Sequence, residues 1–401
     1  MANYLQKERM NLEINTMDRE LIHASEQGDY VAVEQLLHEG ASIDYKDVAG
    51  RTALMAAVQK NQIAVVKLLL EAGSDVNTRD ITQLTPFICS GANGFHEILS
   101  MMLKFGADLN SVNRFGGTAL LPSSEKGYLK TVQVCLDAGV PVNHVNDLGW
   151  SALLESVILG NGGRLYSDII QELLEAGADV NLPDRDGKSA LQHAQEMEHQ
   201  KVVNILNKEY IEKSESIKMA KKLARVDKYE EAISEIEKGL EYDKQNLDLI
   251  YYKGYFLQEL KRFEEALEEY NKALSLDPTD LDFYFYTANC LRAMRRQEEA
   301  LLEYDKACEL NPVETFYRYH KSNYLRELGR HEEAVIEMDK LLALQSNRYD
   351  FSFHKANSLR SLGKHQEAIE AIENAIANDP ANPLYHLHKE QSLELLRKLA
   401  N

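Results

Sequence analysis

The chain has 401 residues, 44% of them hydrophobic, and a formal net charge of −19. That length exceeds one compact core and implies two domains or a repeat array. Acid outnumbers base in both halves, 28 to 17 over residues 1–210 and 36 to 28 over 211–401, so nucleic acid and anionic membrane surfaces are repelled as main partners.

The opening stretch, MANYLQKERMNLEINTMDRE, is charged throughout and has no apolar core, so it does not read as a secretory signal. No stretch approaches the ~20 apolar residues of a membrane span. Cys89, Cys135, Cys290 and Cys308 form no Cys-x-x-Cys pair and have no His at zinc-finger spacing. They are expected to be buried reduced thiols of a cytoplasmic protein, with no metal or cofactor.

From residue 36 onward a 33-residue period governs the chain. Gly40, Gly73, Gly106 and Gly139 keep it, and Gly177 follows after 38; they close LLHEGASID, LLLEAGSDVN, MLKFGADLN, CLDAGVPVN and LLEAGADVN. Thr52, Thr85, Thr118, Ser151 and Ser189 march in step and open TALMAA, TPFICS, TALLPS, SALLES and SALQHA. A hydroxyl that caps a helix start, apolar residues at helical spacing and a glycine that ends the second helix make a turn–helix–turn–helix unit. These phrases resemble the ankyrin repeat: five clear units from Asp47 to about Lys208, after a degenerate one from Leu21 to Gly40. Where the family's Thr-Pro-Leu-His carries His, this chain has Met55, Ile88, Leu121, Leu154 and Gln192. GWSALLESVILGNGG also resembles a small bacterial ankyrin subfamily. Binding surfaces implied by the resemblance are the turn tips and concave first helices, here Arg51, Leu84, Arg114, Phe115, Leu148, Trp150, Arg185 and Lys188. Trp150 either anchors a partner or packs on the next turn.

The fourth unit holds five extra residues around Gly160-Asn-Gly-Gly-Arg164. This stretch lacks the Gly-Lys-Ser/Thr ending of a phosphate loop and follows no strand, so it reads as a lengthened turn between helices. Next, no glycine occurs from Gly187 to Gly239 and no proline from Pro183 to Pro278. Helix formers fill that gap, and a continuous helix over 199–226 is expected to splice the halves, with domains at 1–209 and 210–401.

Beyond the splice the period is 34. Ala232, Ala266, Ala300, Ala334 and Ala368 keep it, and Ala220, Gly254, Ala288, Ser322 and Ala356 recur twelve residues earlier. Pro278, Pro312 and Pro380 follow at fixed offset. This pattern resembles the tetratricopeptide repeat, five copies from about residue 213 with 381–401 as a solvating last helix. The implied fold is an all-α double solenoid.

Within these repeats HKSNYLR at His320–Arg326 returns as HKANSLR at His354–Arg360. Positions i, i+4 and i+7 of each first helix line up as Tyr251, Phe285, Tyr319 and Phe353; Tyr255, Asn289, Asn323 and Asn357; and Gln258, Arg292, Arg326 and Arg360. Aromatic, amide and guanidinium groups in that order suit an extended acidic peptide in a concave groove. The same rows could instead pack helix on helix, with each Arg paired to a neighbouring Glu. Co-chaperone members of the family grip a terminal carboxylate with Lys where this chain has the aromatic row, so that clamp is not implied.

His386-Leu-His388 puts its two rings on different helix faces and is no metal pair. Nothing assembles a nucleophile, base and oxyanion donor. The expected function is a non-catalytic adaptor, and as a single chain: the ankyrin arm on a folded partner, the tetratricopeptide groove on an extended segment. A receptor whose groove senses a signalling peptide, or a bacterial effector acting on host proteins, are the alternatives.

Overall fold

The structure is a computed structural model, and it describes residues 16–208, 214–346, 348–378, 380 and 383–399. Those residues are helical, joined by turns, with no β-strand among them. The chain divides into two compact units, 1–210 and 211–401.

In the first unit, helix pairs recur as Ala53–Gln59 with Ile63–Glu71, Pro86–Ala92 with His96–Lys104, Leu120–Glu125 with Leu129–Asp137, Ala152–Ile158 with Arg164–Glu175, and Ala190–Glu196 with Gln200–Leu206. The first four of these short first helices are buried almost all round, as Ala53 to Val58 illustrate, whereas Ala190–Glu196 buries only Ala190 and Ala194. Four of the five hydroxyls do what the sequence expects. Thr52, Thr85, Ser151 and Ser189 accept from the N–H three residues on. Thr118 does not: the Leu121 N–H bonds its carbonyl at 3.3 Å, and the helix starts one residue late at Leu120. At the closing glycines the backbone is left-handed; at Gly73, for example, φ is +97°, where a side chain would cost about 1 kcal/mol.

The five-residue insertion is only partly a turn. In the three preceding pairs three residues join the two helices and the second helix has nine; here five residues join them and Arg164–Glu175 has twelve. The glycines are there for close packing. A Cβ on Gly160 would lie 2.3 Å from the Ser156 carbonyl and 2.5 Å from the Tyr166 ring, and one on Gly162 2.6 Å from the His199 ring.

The expected continuous helix over 199–226 is overturned. The helix ends at Leu206, Lys208 turns left-handed at φ +60°, and Ser214 caps a fresh helix, Glu215–Arg225. Lys208 has the same left-handed turn as other repeat ends, so repeat grammar overrides helix propensity here. Residues 209–213 of the expected splice lie outside the described residues.

The second unit alternates first helices (Glu215–Arg225, Leu247–Glu259, Leu281–Ala293, Thr315–Glu327, Tyr349–Ser361) with second helices (Tyr229–Tyr242, Phe263–Leu276, Gln297–Leu310, His331–Leu344, His365–Asn378) and ends in Pro383–Leu399. The alanine row Ala232, Ala266, Ala300, Ala334 and Ala368 is at most 1% exposed. Its small partners let the paired helices touch: a Cβ on Gly254 would stand 2.3 Å from the Tyr270 ring. Between first and second helix every repeat has one left-handed residue, Asp227, Lys261, Arg295, Gly329 and Gly363.

Candidate functional site

In the first unit the turns between repeats stand as rigid fingers. Asp47, Asp80, Asn113, Asn146 and Asp184 each accept, through one side-chain oxygen, from the N–H groups two and four residues on, at 2.8–3.0 Å. Neighbouring fingers are also stitched together, Ile81 N–H to Ala49 carbonyl at 3.1 Å and Asp147 N–H to Phe115 carbonyl at 2.8 Å. This Asp/Asn row keeps the repeat spacing in the sequence, but Asp and Asn are ordinary turn residues, so spacing alone does not reveal the bonds.

The candidate tip residues divide. Arg51 is committed internally: Nε to Asp47 at 2.8 Å, one Nη to Gln59 at 3.1 Å and to Glu26 at 3.6 Å. Lys188 pairs with Glu196 at 2.7 Å. The Arg114 guanidinium lies 5.2 Å from the Phe115 ring centre. Leu84, Leu148 and Trp150 are half-buried, and Arg185 is exposed. The most exposed apolar tips are Val48, at 101%, and Ile81, at 60%.

Behind the fourth finger sits a buried acid. Glu155 accepts from the Asn146 amide at 2.8 Å, while its other carboxyl oxygen is buried without a hydrogen-bond partner. Burial, with the charge of Glu125 adding to it and the Asn146 bond opposing, pushes the Glu155 carboxyl well above the usual range. Asp184 shows the reverse: burial would raise it, but N–H bonds from Lys188 and Asp186 and the His193 ring at 2.7 Å outweigh burial and lower it.

In the second unit, HKSNYLR is the seam between repeats. Lys321 bridges Asp305 of the preceding repeat (2.6 Å) and Glu337 of its own (3.0 Å). Lys253 does the same with Glu237 and Glu269, Lys355 reaches Asp339, and Lys389 reaches Glu373. At the one remaining junction both partners change together, to Thr287 and Asn271. Ser322 donates to the Ala334 carbonyl at 3.2 Å, tying first helix to second. The Arg326 guanidinium donates to His354 Nδ1 at 2.8 Å, and Arg360 repeats the contact with His388. Each word's arginine is thus completed by the next word's histidine. Since Arg only donates, the accepting Nδ1 is unprotonated.

The aromatic row is therefore corrected. Tyr251, Phe285, Tyr319 and Phe353 are at most 8% exposed, so they do not line an open groove. Tyr251 packs on Tyr286, Phe285 on His320, Tyr319 on His354 and Phe353 on His388, with centroids 4.7–5.8 Å apart. Tyr255, stacked on Tyr251 at 6.1 Å, remains half-buried, as do Asn289, Asn323 and Asn357. Asn289 accepts from Tyr304 (3.1 Å) and Arg292 (3.3 Å), and Asn323 from Arg326 (3.1 Å).

The arginines are not equivalent. Arg292 pairs with Glu327 of the next repeat at 2.8 Å and lies over the Tyr324 ring at 4.6 Å. Among the described residues no carboxylate stands within ion-pair distance of Arg326 or Arg360, and burial lowers the pKa of both guanidiniums. The second unit also buries Glu337, which holds Arg318 (2.7 Å), Lys321 (3.0 Å) and Lys340 (2.9 Å). Burial would raise this carboxyl, but those cations outweigh it and hold it low.

All four cysteines are buried free thiols, which burial pushes up to about 12 at Cys89, Cys135 and Cys290 and about 11 at Cys308. No helix among the described residues is long and apolar enough to cross a membrane.

Two arrays of short paired helices, one bearing fingers and one with a fixed 34-residue step, define a helical repeat protein. The family model for ankyrin repeats (3 copies) matches residues 3–80, 87–184 and 124–216, and the chain belongs to the ankyrin-repeat family. A TPR-repeat model matches 254–294 and a tetratricopeptide-repeat model 319–383. Both repeat types are protein-interaction modules. An ankyrin repeat domain from Acinetobacter baumannii AYE is similar at 45% identity, over 47% of this chain and 97% of that one, with a TM-score of 0.46. A second solved ankyrin repeat protein is similar at 36% identity, over the same shares and with the same TM-score. A search of curated proteins gives no match.

Proposed function

We propose that the chain is a non-catalytic cytoplasmic adaptor. Its ankyrin fingers hold a folded partner, and the tetratricopeptide unit takes an extended acidic segment. The observation that carries this reading is the pair of adjoining fingertips Val48 and Ile81. They are apolar, exposed, and fixed by the hydrogen bonds of Asp47 and Asp80. Apolar side chains held out on rigid loops cost solvation without adding to the core, which is how binding loops are built.

Capture from cell extract by the full chain, read by mass spectrometry, tests it. Val48→Asp with Ile81→Asp should abolish capture of one group of partners and leave the melting temperature unchanged. An unchanged set of captured proteins would sink the finger assignment.

A further inference from the structure

The three groove arginines occupy the same repeat position, and their surroundings differ at two places. Glu327, which pairs with Arg292, stands 35 residues after it. The equivalent positions for Arg326 and Arg360 are Ser361 and Leu395. Tyr324, over which Arg292 lies, is likewise replaced, by Ser358 and Ser392. The first arginine is thus supplied with an internal carboxylate and an aromatic face, and the other two are not.

Resting on the acidic-segment reading above, we propose that Arg326 and Arg360 bind two carboxylates of an extended acidic chain, and that Glu327 occupies the equivalent place at Arg292 and closes it. The Glu327–Arg292 pair shows the geometry that such a carboxylate would adopt, one oxygen 2.8 Å from a terminal guanidinium nitrogen. Neutral groups now satisfy the two open arginines only in part. Arg326 donates to Asn323 and His354, and Arg360 to His388 and, at 2.9 Å, to Gln391. Arg360 Nε is buried without an acceptor. A partly buried guanidinium bonded to neutral acceptors gains most from an incoming anion, because its charge is already desolvated and weakly screened. Glu327 is 56% exposed, so it can be altered without disturbing the core. It also lies next to Arg326 in sequence, so its charge is felt there and not at Arg360.

Fluorescence anisotropy of labelled hexaglutamate with the full chain at low salt tests this, with hexaglutamine as control. Wild type should bind hexaglutamate alone. Arg360→Gln and Arg326→Gln should each weaken binding about tenfold, the scale of one charge-assisted hydrogen bond. Arg292→Gln should change it little. Glu327→Gln, which opens the third position and removes a repelling charge, should tighten binding several-fold. Because that variant alters only an exposed side chain, it decides the matter even if an arginine variant fails to fold. Binding that survives Arg326→Gln and Arg360→Gln, or is indifferent to Glu327→Gln, overturns the assignment and leaves the acidic-segment reading standing. No binding of hexaglutamate by wild type overturns both.

Discussion

Glu155 and Glu337 are buried carboxyls with opposite consequences for stability. Glu155 has one hydrogen bond and a like-charged neighbour, and its folded pKa is raised above 4.5. Its neutral form is compatible with the fold, so stability is fully present below the unfolded pKa and is lost as pH rises toward the folded one. Glu155→Gln keeps an acceptor for Asn146 and removes the ionisation; urea melts at pH 8 should show a gain on the order of 1 kcal/mol, and none at pH 4. Glu337 has three cations and a lowered pKa, so its contribution is present above 4.5 and lost as pH falls through the folded value. Glu337→Ala would leave Arg318, only 12% exposed, without its carboxylate, and Lys321 with Asp305 alone. The expected loss at pH 7 is about 3 kcal/mol, read from chemical denaturation.

At the scale of elements, the left-handed turn between first and second helices sets a further expectation. Arg295 has φ +61° where later repeats use Gly329 and Gly363. Arg295→Gly should therefore raise stability by roughly 0.5–1 kcal/mol, a thermal shift that a neutral Arg295→Ala would not reproduce. The helices themselves were legible, because a repeat written five times fixes its period, its small contacts and its caps. What the period could not convey is direction. In a stacked array, positions that face solvent and positions that face the next repeat recur at the same 34-residue step, so Phe285 over His320 and a groove-lining aromatic write the same pattern. An Arg–Glu pairing was legible as an alternative, but that only Arg292 of the three finds its carboxylate, Glu327, was hidden, since it is a difference between repeats and not the repeat itself. Thr118 shows another limit: its hydroxyl keeps the register but not the cap.

For the whole molecule, we expect residues 1–209 and 210–401, expressed apart, each to give a cooperative melt, because repeat arrays draw their stability from nearest neighbours. Loss of helical circular dichroism in both pieces would refute that division. The histidine–arginine seam adds a consequence for how such a chain can grow. The word His354–Arg360 carries a histidine that accepts from Arg326 of the word before and an arginine that donates to His388 of the word after. Its lysine likewise meets an acid one repeat back. A tandem duplication of the 34 residues from Lys321 to His354 reproduces both halves of these contacts. A gene encoding this unit can therefore gain or lose whole words in one recombination event without stranding a charge, whereas a slip of a single codon breaks every seam downstream of it within the copied word.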